Sequence, residues 1–226
     1  MKKYCIIVAG GNGRRMLSET PKQFLLLAGK PVLLHSLEVF AAAVPDLEII
    51  LVLPETHIVT WEEILVQYDV NLSHTIIPGG ETRFLSVQNG IRCITLPGLV
   101  AVHDGVRPLV SREGIIRLFD DAEKNGSAVP VIPVSDTVRQ TEGEYSHVID
   151  RNNLRLVQTP EIFHSEVLIQ AYETPESDSY TDVASVIEST GFGGIHLSEG
   201  EAENIKITQP VDLLLAEAIL NRRAKV

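Results

Sequence analysis

A chain of 226 residues with 44% hydrophobic and 22% charged side chains is long enough to bury one large core and has the balance of a globular enzyme. Its formal net charge of −11 argues against general affinity for nucleic acid or an anionic membrane surface. Cys5 and Cys93 are the only cysteines, which leaves no disulfide framework or zinc spacing, and no run approaches the roughly 20 apolar residues of a membrane helix.

The N-terminus has two lysines and a short apolar run broken by glycines, which reads as a core strand rather than a secretory leader. With both cysteines expected as small buried hydrophobes, a cytoplasmic location is expected. The strand, residues 4–8 (YCIIV), empties into AGGNGRRM over 9–16, and Pro21-Lys22-Gln23 follows. Gly10, Gly11 and Gly13 then present bare backbone N–H groups at the carboxyl edge of a sheet, where open α/β sheets bind ligands. Arg14, Arg15 and Lys22 add positive charge beside those amides, so the loop suits a polyanion such as a nucleoside triphosphate. The Gly-Lys-Ser/Thr end of a P-loop is missing, and Met16 stands where a dinucleotide fingerprint needs its third glycine.

Further strands are predicted over 48–53, 74–77, 99–103 and 128–133, alternating with amphipathic helices over 31–43, 56–68, 82–94 and 111–125. Such alternation specifies an α/β fold, a mostly parallel twisted sheet with helices on both faces. Pro31 suits a first helical turn and Gly126 a helix end. The rhythm then breaks. Over 135–150 two β-like pieces, TVRQ and SHVID, flank Glu142-Gly143-Glu144 and predict a hairpin that projects as an arm. Because an isolated two-stranded ribbon is marginal in water, the arm is expected to lie on a second copy of the chain. Helices return over 165–173 and 182–190, a last strand is predicted over 204–207, and a proline-started helix runs over 210–223. No repeat or linker divides the chain, so one domain over 1–226 is expected, with its arm at about 135–151.

Several strings carry candidate chemistry. In HDGVRP, Asp104 ends a buried strand opposite the glycine loop, a position suited to holding Mg²⁺ at a triphosphate; the competing role is a turn cap. Arg107 can grip a second anion bidentately, or form a surface ion pair. GGETRFLSVQNG, over 79–90, sets a second Gly-Gly turn at a strand end, where backbone groups and Ser86 can line a base or ribose; a plain turn capped by Thr82 competes. Thr159, held extended before Pro160, is expected to expose its hydroxyl. Lys206 alternates with Ile205 and Ile207, so it faces away from them, either into a site or as an edge-strand guard. The histidines are scattered, with no metal-ligand spacing and no Ser/His/Asp arrangement.

These strings, in order and over essentially the whole chain, resemble the 2-C-methyl-D-erythritol 4-phosphate cytidylyltransferases of the non-mevalonate isoprenoid pathway: AGGNGRRM…PKQF, GGETRFLSV, VHDGVRP, PVSDTV, VIDRNNL…QTP, YTDVAS and ENIKIT. The resemblance implies a Rossmann-like nucleotidyltransferase fold, Mg²⁺, a homodimer joined through the arm, and the coupling of CTP to methylerythritol phosphate with release of pyrophosphate. It implies that Ala9, Gly10, Gly11 and Gly13 wrap the triphosphate, with Arg15 and Lys22 stabilising charge at the α-phosphate and on the leaving pyrophosphate. Gly79, Gly80, Glu81 and Ser86 would surround the cytidine, and Asp104, the metal ligand, would stand with Arg107 between the two substrates. Thr137 and Arg151 of a partner's arm would hold the acceptor phosphate with Thr159, Thr181 and Lys206.

The attacking phosphate monoester is mostly dianionic near neutrality, its second pKa being about 6, so no general base is needed. The reaction instead needs cations to bring two anions into line. Gly105-Val106, Glu161 and Glu203 depart from the resemblance, standing where Ala-Ala, glutamine and aspartate are usual. A ribitol 5-phosphate cytidylyltransferase is the nearest rival, and a non-catalytic nucleotide-binding module is the rival of another class. A nicotinamide oxidoreductase stands third, without its fingerprint glycine.

Overall fold

The computed structural model describes residues 1–10 and 20–225. In chain order they form β1 (Lys2–Val8), a small hairpin of β2 (Leu26–Leu27) and β3 (Lys30–Pro31), α1 (Val32–Ala43), β4 (Glu48–Leu53), α2 (Glu55–Gln67), β5 (Thr75–Pro78), α3 (Arg83–Ile91), β6 (Gly98–Asp104), α4 (Arg112–Asn125) and β7 (Ser127–Pro133). The arm follows as β8 (Val138–Glu142) and β9 (Tyr145–Ile149). Then come β10 (Arg155–Val157), β11 (Glu161–His164), α5 (Ser165–Ala171), α6 (Val183–Ser189), β12 (Leu197–Glu199) and α7 (Pro210–Arg223).

The main sheet runs β10-β7-β11-β6-β1-β4-β5, with β12 paired to β7. β5, β4, β1 and β6 are mutually parallel, while β11 lies antiparallel between β6 and β7. Connections leave β1 toward β4 and then return to its other side at β6, so the strand order reverses between β1 and β6. That crevice is where open α/β sheets take ligands.

Alternation along the strands builds two cores. Cys5 and Ile7 of β1, Ile49 and Leu51 of β4, and Leu99 and Ala101 of β6 face one apolar layer with α1, α2 and α4. Tyr4, Ile6, Ile50, Val52, Val100 and Val102 face the other, with α3, α5 and α6. Gly90 lets α3 lie close on β1, because a Cβ there would approach Ile6 Cγ2 to 2.6 Å. Gly126 ends α4 at φ 86° as expected, the competing cap role of Thr82 is met by Leu85 N–H, and Ser111 caps α4 by accepting from Gly114 N–H. Pro31, expected in a first helical turn, instead lies in β3 one residue before α1.

Three expectations need correction. Residues 204–207 form no strand, because their backbone groups are taken up elsewhere: Asn204 N–H donates to Glu201 O, Ile205 N–H to Glu203 O and Ile207 N–H to the Val106 carbonyl. Cys93 lies beyond α3, which ends at Ile91, and is only partly buried, whereas Cys5 is fully buried. β11, antiparallel and central, was not anticipated. The arm forms its own two-stranded sheet, with Tyr145 81% and Val148 57% exposed.

Candidate active site

Three backbone hydrogen bonds continue the sheet past its strands. Ala9 N–H donates to Val52 O (2.9 Å), Gly79 N–H to Leu53 O (2.7 Å) and Gly105 N–H to Val8 O (2.9 Å). The ends of β4, β1 and β6 are thereby tied side by side, which aligns Ala9-Gly10, Gly79-Gly80 and Asp104 along one edge. A cleft of about 330 Å³ opens there, lined by Ala9, Gly10, Gly80, Glu81 and Ser86 together with Lys22, Asp104 and Lys206.

Its Gly-Gly turn is sterically set. A Cβ on Gly80 would lie 2.3 Å from Leu85 Cβ and 3.1 Å from the Leu85 carbonyl carbon. The buried Ser86 hydroxyl donates to Thr82 O (2.8 Å) and accepts from Gly80 N–H (3.1 Å), so it holds the turn in shape. Lys22 begins a 3₁₀ turn, Lys22–Phe24. Gln23, fully buried, bonds His57 Nδ1 at 3.1 Å, and Phe24 stacks on Trp61, which anchors the turn to α2. Gly11, Gly13, Arg14 and Arg15 lie outside the described residues.

A second cleft of about 170 Å³ adjoins the first and is lined by Arg107, Thr159 and Thr181, together with Glu161 and Asp182. Arg83, Asp104 and Lys206 face both. Lys206 Nζ stands 2.7 Å from Asp104 Oδ2, Arg83 Nε 3.3 Å from Oδ1, and Arg107 Nε 3.9 Å from Oδ2. Burial alone would raise the Asp104 carboxyl, but Arg83 and Lys206 outweigh it and hold the group ionised, well below the usual carboxylate range. Asp104 is therefore an anion at the junction of two spaces lined by cations.

Two anionic ligands meeting end to end would find that junction between them. The family model for 2-C-methyl-D-erythritol 4-phosphate cytidylyltransferase matches residues 4–222. The chain belongs to that family. The enzyme of that name from Azobacteroides pseudotrichonymphae is 46% identical over 220 residues, covering 97% of this chain and 99% of its own. The one from Porphyromonas gingivalis is 47% identical, covering 97% and 98%. Among solved structures, the crystal structure of the Thermus thermophilus cytidylyltransferase is similar with a TM-score of 0.76 and 36% identity, over 98% of this chain and all of that one. The 4-diphosphocytidyl-2C-methyl-D-erythritol synthase of Anaerococcus prevotii gives 0.83 at 28% identity, over 98% and 96%.

Within this cytidylyltransferase fold the remaining expected residues divide. Arg107 is no surface ion pair: its side chain is 11% exposed, and its guanidinium donates to Asn204 O at 2.8 Å. Lys206, though outside any strand, keeps the predicted alternation, with Ile205 and Ile207 turned to an apolar cluster and the amine turned to Asp104. Gln158 and Asn204 hold its loop in place, Gln158 Nε2 donating to Glu201 O (2.8 Å) and Asn204 Nδ2 to Thr159 O (2.9 Å). Thr137 and Arg151 are exposed and line neither cleft of their own chain; Arg151 donates to the Ser135 carbonyl.

Thr159 departs from expectation. It lines the second cleft but is 5% exposed, and its hydroxyl turns inward, accepting from Asp104 N–H (3.0 Å) and meeting His103 Nδ1 (3.2 Å). His103 Nε2 faces Arg107 O at 3.1 Å and so carries the proton, leaving Nδ1 to accept from Thr159. Burial pushes His103 down to about 4, so it is neutral. A lowered imidazole pKa stabilises the fold fully above the ordinary value of 6.5, and this contribution is lost as pH falls from there toward 4. Thr159→Val strands two buried groups and is expected to cost about 1–3 kcal/mol in urea denaturation, while Thr159→Ser restores it. Equal midpoints for Val and Ser would show the network to be idle.

Sequence reasoning assigned no role to Arg83 or His103, and named Glu161 only as a departure. Arg83 lay within GGETRF, one residue past the Thr82 cap, but nothing local distinguishes a helix-start arginine in a site from one in solvent.

Proposed function

We propose that this chain joins CTP to 2-C-methyl-D-erythritol 4-phosphate, forming 4-diphosphocytidyl-2-C-methyl-D-erythritol and pyrophosphate by in-line attack of the acceptor phosphate on the α-phosphate of CTP. The observation that carries the reading is the shared wall: Asp104, Lys206 and Arg83 face both clefts. The first cleft takes the nucleotide, with the base against Gly79, Gly80, Glu81 and Ser86 and the triphosphate toward Ala9, Gly10, Gly11, Gly13, Arg15 and Lys22. The second takes the acceptor, with Arg107, Thr181 and Lys206 on its phosphate and polyol and Thr159 shaping its floor. The acceptor phosphate brings its own negative charge, so this chain's work is to hold it against a second anion and stabilise the crowded phosphorus centre, for which Lys22, Arg15 and Lys206 are suited.

Magnesium fits as a companion of the triphosphate. Among the described residues no three acidic, histidine or cysteine side chains cluster as a ready-made cage. Asp104 is the ionised carboxylate at the junction, and a cation that keeps most of its ligands from phosphate and water needs only one or two such groups. Bound there, it would neutralise charge on the leaving pyrophosphate.

The arm, with Tyr145 and Val148 exposed, is suited to cover a second copy and bring Thr137 and Arg151 to that copy's acceptor cleft. A cytoplasmic site of action fits two free cysteines, and no described helix is long and apolar enough to cross a membrane. A pyrophosphate-release assay across four nucleotides with methylerythritol 4-phosphate and ribitol 5-phosphate tests the reading. Turnover is expected with CTP and the methylerythritol acceptor alone. Preference for ribitol phosphate, or CTP binding without turnover, would overturn it.

A further inference from the structure

Glu161 begins β11 with no exposed surface, and it borders the second cleft only. Its oxygens join three elements. Oε1 accepts from Val183 N–H at 3.2 Å and Oε2 from Ala184 N–H at 2.9 Å, both in the first turn of α6. From the other side the Arg83 guanidinium, at the start of α3, reaches Oε1 at 3.6 Å while its Nε keeps Asp104 at 3.3 Å.

This arrangement is costly to the fold. Burial pushes the Glu161 carboxyl up to about 7, Asp182 adds to the rise, and Arg83 with the two backbone N–H groups only partly offsets it. A glutamine or apolar residue would avoid burying a charge at that point. What the carboxylate supplies is geometry. Thr181 and Asp182, which line the second cleft, lead directly into the turn that Glu161 holds, with Thr181 N–H and Asp182 N–H both donating to Ser185 Oγ. Arg83, at the opposite side, is kept from collapsing wholly onto Asp104.

We propose that Glu161 is a positioning residue for the acceptor: by tying Arg83 to the first turn of α6 it sets the span of the second cleft between Asp104 and Thr181. The inference rests on the cytidylyl-transfer reading above. It makes the acceptor side of the site depend on a residue that touches neither reacting phosphate. The nucleotide cleft meets this tie at Arg83, while its Gly80 turn and the Lys22 turn are held by other bonds and Glu161 itself borders the acceptor cleft.

Steady-state kinetics of Glu161→Gln, varying each substrate in turn, test it. The variant keeps the size of the side chain and loses its charge. The KM for methylerythritol phosphate is expected to rise about tenfold or more while the KM for CTP stays within about twofold, the signature of a change confined to one substrate. Both KM values unchanged would overturn the proposal. So would a parallel rise in both with a lowered melting temperature, which is what a merely structural role predicts. Should Glu161→Gln fail to fold, Arg83→Gln removes the tie from its other end and is expected to raise the KM for methylerythritol phosphate as much. Because Arg83 also faces the nucleotide cleft, only the acceptor KM is read in that variant, and an unchanged value would overturn the proposal. Where both variants fold, the double variant is expected to be no worse than either single one, and additive losses would sink the shared tie. An inactive wild type would overturn the cytidylyl-transfer reading and this inference together, whereas an active wild type with an indifferent Gln variant removes the inference alone.

Discussion

Lys22→Ala is expected to lower turnover at least a hundredfold with the fold intact. The Lys22 turn is anchored by Gln23 on His57 and by Phe24 on Trp61. Lys22 lines the nucleotide cleft, as do Asp104 and Lys206. A preorganised donor at developing phosphoryl charge is worth about 3–4 kcal/mol, or two to three orders of magnitude in rate. Pyrophosphate-release kinetics and a thermal melt on one preparation check both halves. Turnover within threefold of wild type would remove Lys22 from the reaction, and a collapsed melt would make it structural. Arg15→Ala carries the same expectation.

Asp104→Asn is expected to damage stability as well as rate. The amide keeps the shape of the side chain while leaving Arg83, Arg107 and Lys206 facing one another without their shared anion. Lys206, at 40% side-chain exposure, can turn to solvent, but Arg107 is anchored on Asn204 and cannot. Breaking a buried ion pair from one side costs about 3–5 kcal/mol, and the variant belongs near the lower end because of the lysine's freedom. Turnover should fall by about two orders of magnitude or more, since the residue joins both clefts. The pH dependence has a defined sign. A carboxyl held below its unfolded value stabilises the fold fully above the ordinary carboxylate range, and that stabilisation is lost as pH falls through and below about 4. Urea midpoints against pH should therefore show wild type and variant converging in acid. Parallel curves would deny Asp104 its ionised role.

The local parts of the fold were legible because their causes are local. Alternating apolar residues in β1, β4 and β6 divide between two layers, and Thr82, Ser111 and Gly126 act within four residues of themselves. β11 escaped notice because EIFH is only four residues long with a charged first residue, and its antiparallel place between β6 and β7 is a matter of tertiary pairing. The stretch around Lys206 erred the other way, with strand periodicity but backbone groups spent on local turns, Asn204 N–H on Glu201 O and Ile205 N–H on Glu203 O.

The sequence alone determined the class of fold, the turn chemistry at its ligand edge and the family, since each rests on residue order and short-range sterics. The tertiary structure alone decided which side chains share a wall. Thr159 turns to a histidine 56 positions away, and Arg83 stands between Asp104 and Glu161 from separate elements. A polar group's partner is set by distance in space and by the absence of competing water, and neither is encoded by proximity along the chain.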